Sequence, residues 1–410
     1  MSHRTATILL AFIVAGVVLG IASGWYFGPA MVQVEWIGKL FLDALKMLIV
    51  PLVVAALISG IAALGDIRHL GRIGSLTMGY FMVTTAIAVL IGLFMANLIQ
   101  PGAGLDYAPS DGEVSSLVAG RGEIGFTDIL LSLVSPNLIA SAAEMELIPL
   151  IVFSIFFGAA LTTLGDAGRP VIAFFSGVND AMMKLVIWLM FLAPIGIFAL
   201  VASRLGKAGG GDAFAAQLAA VGWHVLTVLG GLFAHLLVLI AILVFVAGRG
   251  LDYMLNLMRA LLTAFGTASS SATIPLTIEC VRESNVDERV ARFTIPIGAT
   301  VNMNGTALYE AAAALFIAQA YGIDLGLQEQ VIVFLTATLA AIAAAGIPEA
   351  GLVTMVIVLN AVGLPLEGIG LLLAVDWFLD RFRTAINVWS DAVGAAVVDR
   401  WLRGGVGSRA

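Results

Sequence analysis

One stretch near the end of the chain constrains it more than any other: Asp376-Trp377-Phe378-Leu379-Asp380-Arg381-Phe382-Arg383-Thr384-Ala385-Ile386-Asn387-Val388-Trp389-Ser390-Asp391. Apolar sequence flanks it from Ile369 to Val375 and from Ala392 to Val398, so it reads as the middle of a membrane-spanning helix. Ionised side chains there are costly enough to demand a partner or a function. At 3.6 residues per turn, Asp376, Asp380, Arg383, Thr384, Asn387 and Asp391 share roughly 100° of arc, while Arg381 lies outside it. The stripe offers carboxylates for a cation or an ammonium group, a guanidinium for a carboxylate, and an amide and a hydroxyl for either. That set complements an acidic amino acid travelling with cations. The competing reading is a set of internal salt bridges, since Asp380 and Arg383 stand at i, i+3. One bridge uses one pair, however, and the stripe carries more polar groups than that.

Composition places the stripe in a polytopic membrane protein: 60% of the 410 residues are hydrophobic and 11% charged, against about 25% charged in soluble domains. The net charge of -7 includes nothing like a basic nucleic-acid surface. Cys280 is the single cysteine, so no intrachain disulfide can form. The four histidines, His3, His69, His224 and His235, form no metal-ligand spacing with it, and His224 and His235 read as satisfied histidines on apolar helices. No nucleophile with a histidine partner, no H-E-x-x-H and no Gly-rich phosphate loop is present, so no catalytic residue is assigned and an enzyme is not expected.

In chain order, Ala6 to Gly24 reads as an uncleaved first span rather than a signal peptide. Trp36 to Leu64 is the second, with Glu35, Lys39, Asp43 and Lys46 as an interfacial edge. Leu76 to Gln100 is the third. An acidic loop with Asp106, Asp111, Glu113 and Glu123 follows, then a fourth hydrophobic region ending near Leu164. Val171 to Leu205 is a long fifth segment that Pro194 is expected to kink. Gly206 to Gly211 reads as a flexible linker and Phe214 to Ala247 as the sixth span. With a cytoplasmic N-terminus, most basic loop residues fall inside, among them Arg72, Arg169, Arg249, Arg282, Arg289, Arg400 and Arg403; Arg204 and Lys207 disagree.

Beyond Arg249 the pattern changes. Leu251 to Cys280 is broken at Gly266 to Pro275, leaving flanks of roughly 15 to 24 Å, too short for a hydrocarbon core of about 30 Å. A re-entrant hairpin with its tip in mid-membrane follows, tolerable where the bare backbone faces protein or a cavity. Glu329 to Leu366 repeats the pattern with a break at Ala343 to Gly351. On the charge-derived sidedness the two hairpins enter from opposite sides, an inverted repeat of the kind that builds transporter sites. Between them, Phe293 to Ala320 carries Gly298 to Glu310, whose asparagines, glycines and threonines predict unwinding that frees carbonyl oxygens for a hard cation. Glu310 stands in that span with no adjacent basic residue.

These residues resemble the excitatory amino-acid transporters and their prokaryotic homologues, the dicarboxylate/amino acid:cation symporters. The resemblance covers essentially the whole chain and is most specific at Ser269 to Pro275, Asn302 to Glu310, Gly346 to Gly351 and Asp376 to Asp391. It implies an all-α fold of eight transmembrane helices plus two re-entrant helical hairpins, and a homotrimer in which part of each subunit moves as an elevator. The implied division is residues 1–75 (scaffold helices one and two), 76–100 (helix three of the transport domain), 101–205 (outer loop and scaffold helices four and five) and 206–250 (linker and helix six). Hairpin one follows at 251–285, helix seven at 290–321, hairpin two at 325–366, helix eight at 367–403 and a cytoplasmic tail at 404–410.

Carried over by residue, the resemblance gives Arg383 the substrate's side-chain carboxylate and Asp380 its ammonium group. Asn387 and Ser269, Ser270 and Ser271 take the α-carboxylate, Thr306 and Thr384 complete the pocket, and Ile347 to Gly351 close over it. One sodium site uses Asp391, Asn302 and carbonyls of Gly298 and Asn387. A second uses backbone oxygens near Thr300, Met303, Ala341, Ile342 and Ala344. A third, in the family, joins groups matching Thr84, Thr85 and Asn302 to an aspartate, but this chain has Asn304 there and Phe81 nearby, so weaker cation binding is expected. Glu310 matches a glutamate associated with proton cotransport and potassium countertransport. The implied function is sodium-coupled uptake of aspartate or glutamate across the cell membrane, with both termini cytoplasmic and protons and potassium as further ions. A proton-coupled or C4-dicarboxylate carrier of the same family, or an anion-conducting channel, is the alternative.

Overall fold

The computed structural model describes residues 3–63, 71–105, 131, 133–144, 147–207, 211–343 and 351–406, and the regular structure among them is helical, with no strand. Helix α1 (His3–Phe27) turns through a 3-10 segment, Gly28–Val34, into α2 (Glu35–Ala63). Next come α3 (Gly71–Ile99), the short α4 (Leu138–Ala143), capped by the Asn137 side chain, and α5 (Leu147–Thr162). The expected kinked fifth segment is two helices, α6 (Arg169–Met190) and α7 (Ala193–Lys207). Pro194 explains the break, because its missing N–H is harmless only in the first turn of a new helix. Helix α8 (Gly211–Ala241) runs into a π-helical turn, Ile242–Val246. Among the described residues, four helical stretches are long and apolar enough to cross a membrane: Ala11–Phe41, Gly71–Ile99, Gly165–Leu189 and Leu218–Val246.

Both expected hairpin regions consist of short antiparallel helices. In the first, α9 (Leu251–Thr267) and α10 (Ser270–Glu283) pack on each other, and each is too short to span. The interruption is narrower than the sequence suggested: Ala268 is left-handed at φ 48°, Ser269 is extended, and Pro275 lies inside α10. The Ser269 hydroxyl caps α10 by accepting from the Ala272 N–H, which lets the helix restart at once. Pro275 in turn withholds the N–H that would reach the Ser271 carbonyl, which keeps an acceptor near the tip. In the second hairpin, α13 (Leu327–Ala343) and α14 (Gly351–Ala361) pack together, and the intervening break lies outside the described residues.

The expected unwinding is also present and short. Helix α11 (Glu288–Val301) stops, Asn302 and Met303 adopt non-helical ψ values of 61° and 58°, and α12 (Asn304–Ala320) begins. Nearly every residue of α12 is buried, which is why a helix so rich in alanine has no polar face. Small residues permit this crowding: a Cβ at Gly92 of α3 would stand 2.4 Å from the Leu308 carbonyl oxygen of α12. The chain ends in α15 (Ile369–Val406), 38 residues long.

Two neighbourhoods emerge. Helix α1 lies against α7, and α2 against α5, α6 and α7; α3 lies against α12, while α8, α9, α11 and α12 surround α15. Lys207, one of the residues at odds with the charge-derived topology, pairs with Glu35 at 2.8 Å, so its charge is matched at the rim where α7 ends and α2 begins.

Candidate functional site

The polar stripe of α15 faces inward: Asp376, Asp380, Arg383, Thr384, Asn387 and Asp391 are all buried, and Arg381 is not. The Arg383 side chain is 0% exposed. Its Nη2 lies 2.9 Å from Oδ1 of Asp376 and 2.9 Å from Oδ1 of Asp380, and its guanidinium carbon sits 4.1 Å from the ring centre of Tyr309 on α12. One cation, two carboxylates and an aromatic face thus share a dry site. The pairing is incomplete, because Nε and Nη1 of Arg383 have no hydrogen-bond partner among the described residues. Unmet charged donors in a buried site are expensive unless something else fills them.

The surroundings of those donors come from other elements. A Cβ at Gly351, the first residue of α14, would stand 2.9 Å from Arg383 Nη1 and 3.4 Å from Cγ2 of Thr306. The second hairpin therefore brings bare backbone onto the guanidinium, which any side chain would obstruct. Asn387, one turn along α15, accepts from the Gly305 N–H at 2.7 Å, and its Nδ2 lies 3.4 Å from the Thr306 hydroxyl. Hairpin one is held to α15 by Arg381, whose Nη1 donates to the carbonyls of Phe265 at 3.0 Å and Gly266 at 2.9 Å. That contact fixes the end of α9, two residues before the Ala268–Ser269 turn. Ser269 and Ser270 are buried and Ser271 half-buried, on a hairpin packed along α15. Asp380, Arg383, Thr384, Asn387, Thr306 and Gly351 thus fall in one neighbourhood, with the three serines on the adjacent hairpin. Ile347 and Ala344 lie outside the described residues.

The oxygen-rich candidate site lies farther along α15. Asp391 receives a proton from Asn302 Nδ2 at 2.9 Å, and its carboxylate sits so close to Gly298 that a Cβ there would meet Oδ1 at 2.2 Å. The break at Asn302 and Met303 leaves the last carbonyls of α11 short of intrahelical donors, although the Gly298 carbonyl still accepts from the Asn302 N–H at 2.9 Å. A carboxylate, an amide and main-chain oxygens suit a hard cation carried as cargo, and among the described residues no cluster of three His, Cys, Asp or Glu suits a softer metal. Met303 is buried and Thr300 exposed, its hydroxyl turned back to the Ile297 carbonyl; Ala341 and Ile342 are buried at the end of α13. On α3, the Thr84 hydroxyl lies 3.4 Å from Asn302 Oδ1 and the Thr85 hydroxyl 2.7 Å from Asn304 Oδ1. Asn304 Nδ2 in turn lies 2.8 Å from Ser390 Oγ and 3.2 Å from His235 Nε2. Where an aspartate would bring charge, this chain has a neutral network.

Two expectations need correction or extension. His224 is buried, but neither ring nitrogen has a partner among the described residues; its ring packs on Phe316 at 4.7 Å and Tyr309 at 5.9 Å. It is not a satisfied histidine, and His235 is only half satisfied: Nε2 meets Asn304, while Nδ1 has no partner among the described residues. The sequence reading also gave no role to Asp376, Tyr309 or Ser390. Asp376 was already visible in the stripe, but Tyr309 and Ser390 depend on how α12 crosses α15. Glu310 is fully buried on α12, beside the Thr354 hydroxyl of α14, and forms no ion pair among the described residues.

A helical membrane protein with short paired helices beside a buried, partly unpaired guanidinium is built as a solute carrier. The chain belongs to the sodium:dicarboxylate symporter family, whose model matches residues 9–401. It is 37% identical to excitatory amino acid transporter 1 of Ambystoma tigrinum, over 89% of this chain and 77% of that one. To human excitatory amino acid transporter 3 it is 36% identical, over 94% and 84%. It is also 38% identical to the neutral amino acid transporter B(0) of Oryctolagus cuniculus, over 95% and 79%. Such a family consists of transporters rather than enzymes, and its name carries sodium coupling. Relatives named for acidic and for neutral substrates match about equally well, so the substrate must be argued from the site.

Proposed function

We propose that the protein is a secondary-active symporter that takes up L-aspartate or L-glutamate with sodium. The observation that carries this reading is Arg383: a fully buried guanidinium with two carboxylates on one nitrogen and, among the described residues, two other nitrogens unmet. A neutral side chain would leave those donors empty, whereas a carboxylate satisfies them. Asp380 then exchanges the guanidinium for the substrate's ammonium group, and Asp376 stays as the fixed counter-ion. Asn387, Thr306, Thr384 and the serines Ser269 to Ser271 hold the α-carboxylate. Residues Ile347 to Gly351 close the outer side.

Sodium occupies the Asp391, Asn302, Gly298 and Asn387 site, and a second ion the oxygens near Thr300, Met303, Ala341, Ile342 and Ala344. The neutral Asn304 network with Thr84 and Thr85 takes no strongly held third ion. Glu310 carries a proton, and potassium on the return step is compatible with the excess negative charge of the empty cage. The two helix neighbourhoods support an elevator: α1, α2 and α5 to α7 form a trimerising scaffold in the cell membrane, and α3 with α8 to α15 move against it, both termini facing the cytoplasm. An open anion channel fits less well, since hairpin backbone packed onto a charged cage suits occlusion.

Uptake of labelled aspartate into proteoliposomes, with sodium, proton and potassium gradients imposed one at a time, tests the reading. Accumulation above the external concentration, driven by sodium alone, is expected; simple equilibration, or indifference to sodium, overturns it. Glu310→Gln is expected to flatten the pH dependence of uptake, and a profile identical to the parent's removes the proton role.

A further inference from the structure

Ser390 is fully buried on α15, and its Oγ lies 3.0 Å from Asn302 Nδ2 and 2.8 Å from Asn304 Nδ2. These two asparagines bracket the non-helical link between α11 and α12, so one hydroxyl receives a proton from each side of the break. A primary amide has only two N–H protons. The second proton of Asn302 goes to Asp391 Oδ1 at 2.9 Å, and that of Asn304 faces His235 Nε2 at 3.2 Å. In the ionised form that holds a cation, Asp391 only accepts, which puts the nitrogen end of the Asn302 amide toward it. For Asn304, the 2.7 Å separation from the Thr85 hydroxyl suits an O–H···O bond, which puts its oxygen on that side. With both nitrogens saturated on the α15 and α8 side, both amide oxygens are turned to α3, toward Thr84 and Thr85.

We propose that Ser390 is a positioning residue of the sodium site: by accepting one hydrogen bond from each asparagine, it holds the Asn302 amide against Asp391 and so fixes the carboxylate of that site, while both amide oxygens stay engaged with the paired threonines of α3. His235 completes the arrangement by accepting the remaining Asn304 N–H at Nε2, which requires the tautomer protonated at Nδ1, a nitrogen with no partner among the described residues. The hydrogen-bond partners of Ser390 are Asn302 and Asn304 at its hydroxyl and Tyr80 at its carbonyl, so its influence runs through cation affinity rather than substrate contact. Without the hydroxyl, each amide keeps a buried N–H with nothing to accept it, and Asn302 is free to turn away from Asp391, which loosens the carboxylate that holds the ion. This proposal rests on the reading of the protein as a sodium-coupled carrier.

The test compares the full-length reconstituted protein with Ser390→Ala and Ser390→Thr, reading the sodium concentration that half-saturates aspartate uptake and, separately, the aspartate KM at saturating sodium. Loss of two buried hydrogen bonds is expected to raise half-saturating sodium roughly tenfold in Ser390→Ala, with aspartate KM within about twofold of the parent. Ser390→Thr, which keeps the hydroxyl, should restore the parent value. In an Asn304→Ala background the effect of Ser390→Ala should shrink, because one of its two clients is gone. An unchanged sodium requirement in Ser390→Ala, or equal rises in sodium requirement and aspartate KM, overturns the proposal. Should Ser390→Ala fail to accumulate in membranes, His235→Leu carries the test: a several-fold rise in half-saturating sodium supports it, and no change sinks it. A parent protein that needs no sodium would instead defeat the carrier reading, which keeps the two failures distinct.

Discussion

The last helix holds two charge networks that differ in one respect. At 376–383 a guanidinium with 0% side-chain exposure meets two carboxylates and, among the described residues, still has donors unmet. Near its other end, Asp399, 3% exposed, accepts from Arg249 at 3.2 Å, from Arg403 at 3.0 Å and from the Asp287 N–H at 3.2 Å, while the arginines reach the rim at 25% and 61% exposure. The second network joins the ends of α8, α10 and α15, and Arg249 spends its other donors on the carbonyls of Ser284 and Asn285. Both oxygens of its carboxylate are engaged, so it acts as a fastening. The first is deeper, costlier and incomplete, the condition under which a ligand can complete it. Buried ion pairs are weak evidence of stability; here the degree of completion separates a binding site from a clasp.

The comparison can be broken by substitution. Arg383→Ala leaves two carboxylates buried without a cation, a loss of about 3 to 5 kcal/mol, and aspartate uptake should fall more than about a hundredfold; near-normal aspartate KM would remove the role assigned to Arg383. Gly351→Ala places a methyl 2.9 Å from Nη1, and because two carboxylates and Tyr309 pin the guanidinium, aspartate KM should rise roughly tenfold. Asp399→Ala should cost about 1 to 3 kcal/mol in thermal stability in detergent while leaving aspartate KM unchanged; an altered KM with normal stability would erase the distinction between clasp and site. Lys207→Ala, which breaks an exposed pair with Glu35, should change stability by less than about 1 kcal/mol.

Much of this was legible in the sequence, for identifiable reasons. Helices too short to span announce hairpins, asparagines in an apolar helix announce the break at 302–303, and a charged stripe with helical spacing announces an inward face. What the sequence could not resolve depends on contacts between separated segments. The spacing of Asp376, Asp380 and Arg383 allows either carboxylate to pair with the guanidinium, and only side-chain placement shows both on one nitrogen. Ser390 is an ordinary helical serine until the α11–α12 break crosses it. His224 looked like any histidine on an apolar helix, and only its packing on Phe316 and Tyr309 shows that, among the described residues, neither ring nitrogen is met. The hairpin-one break was overestimated because Pro275 reads as a stop, although a capped helix can carry it near its start.

The most direct measurement is equilibrium binding of three ligands to the purified protein in sodium: L-aspartate, L-asparagine, which lacks the second carboxylate, and succinate, which lacks the ammonium group. The account predicts that aspartate binds at least about thirtyfold tighter than either, because asparagine leaves Arg383 unmet and succinate leaves Asp380 without a cation. Equal affinity for succinate and aspartate, or for asparagine and aspartate, would contradict it.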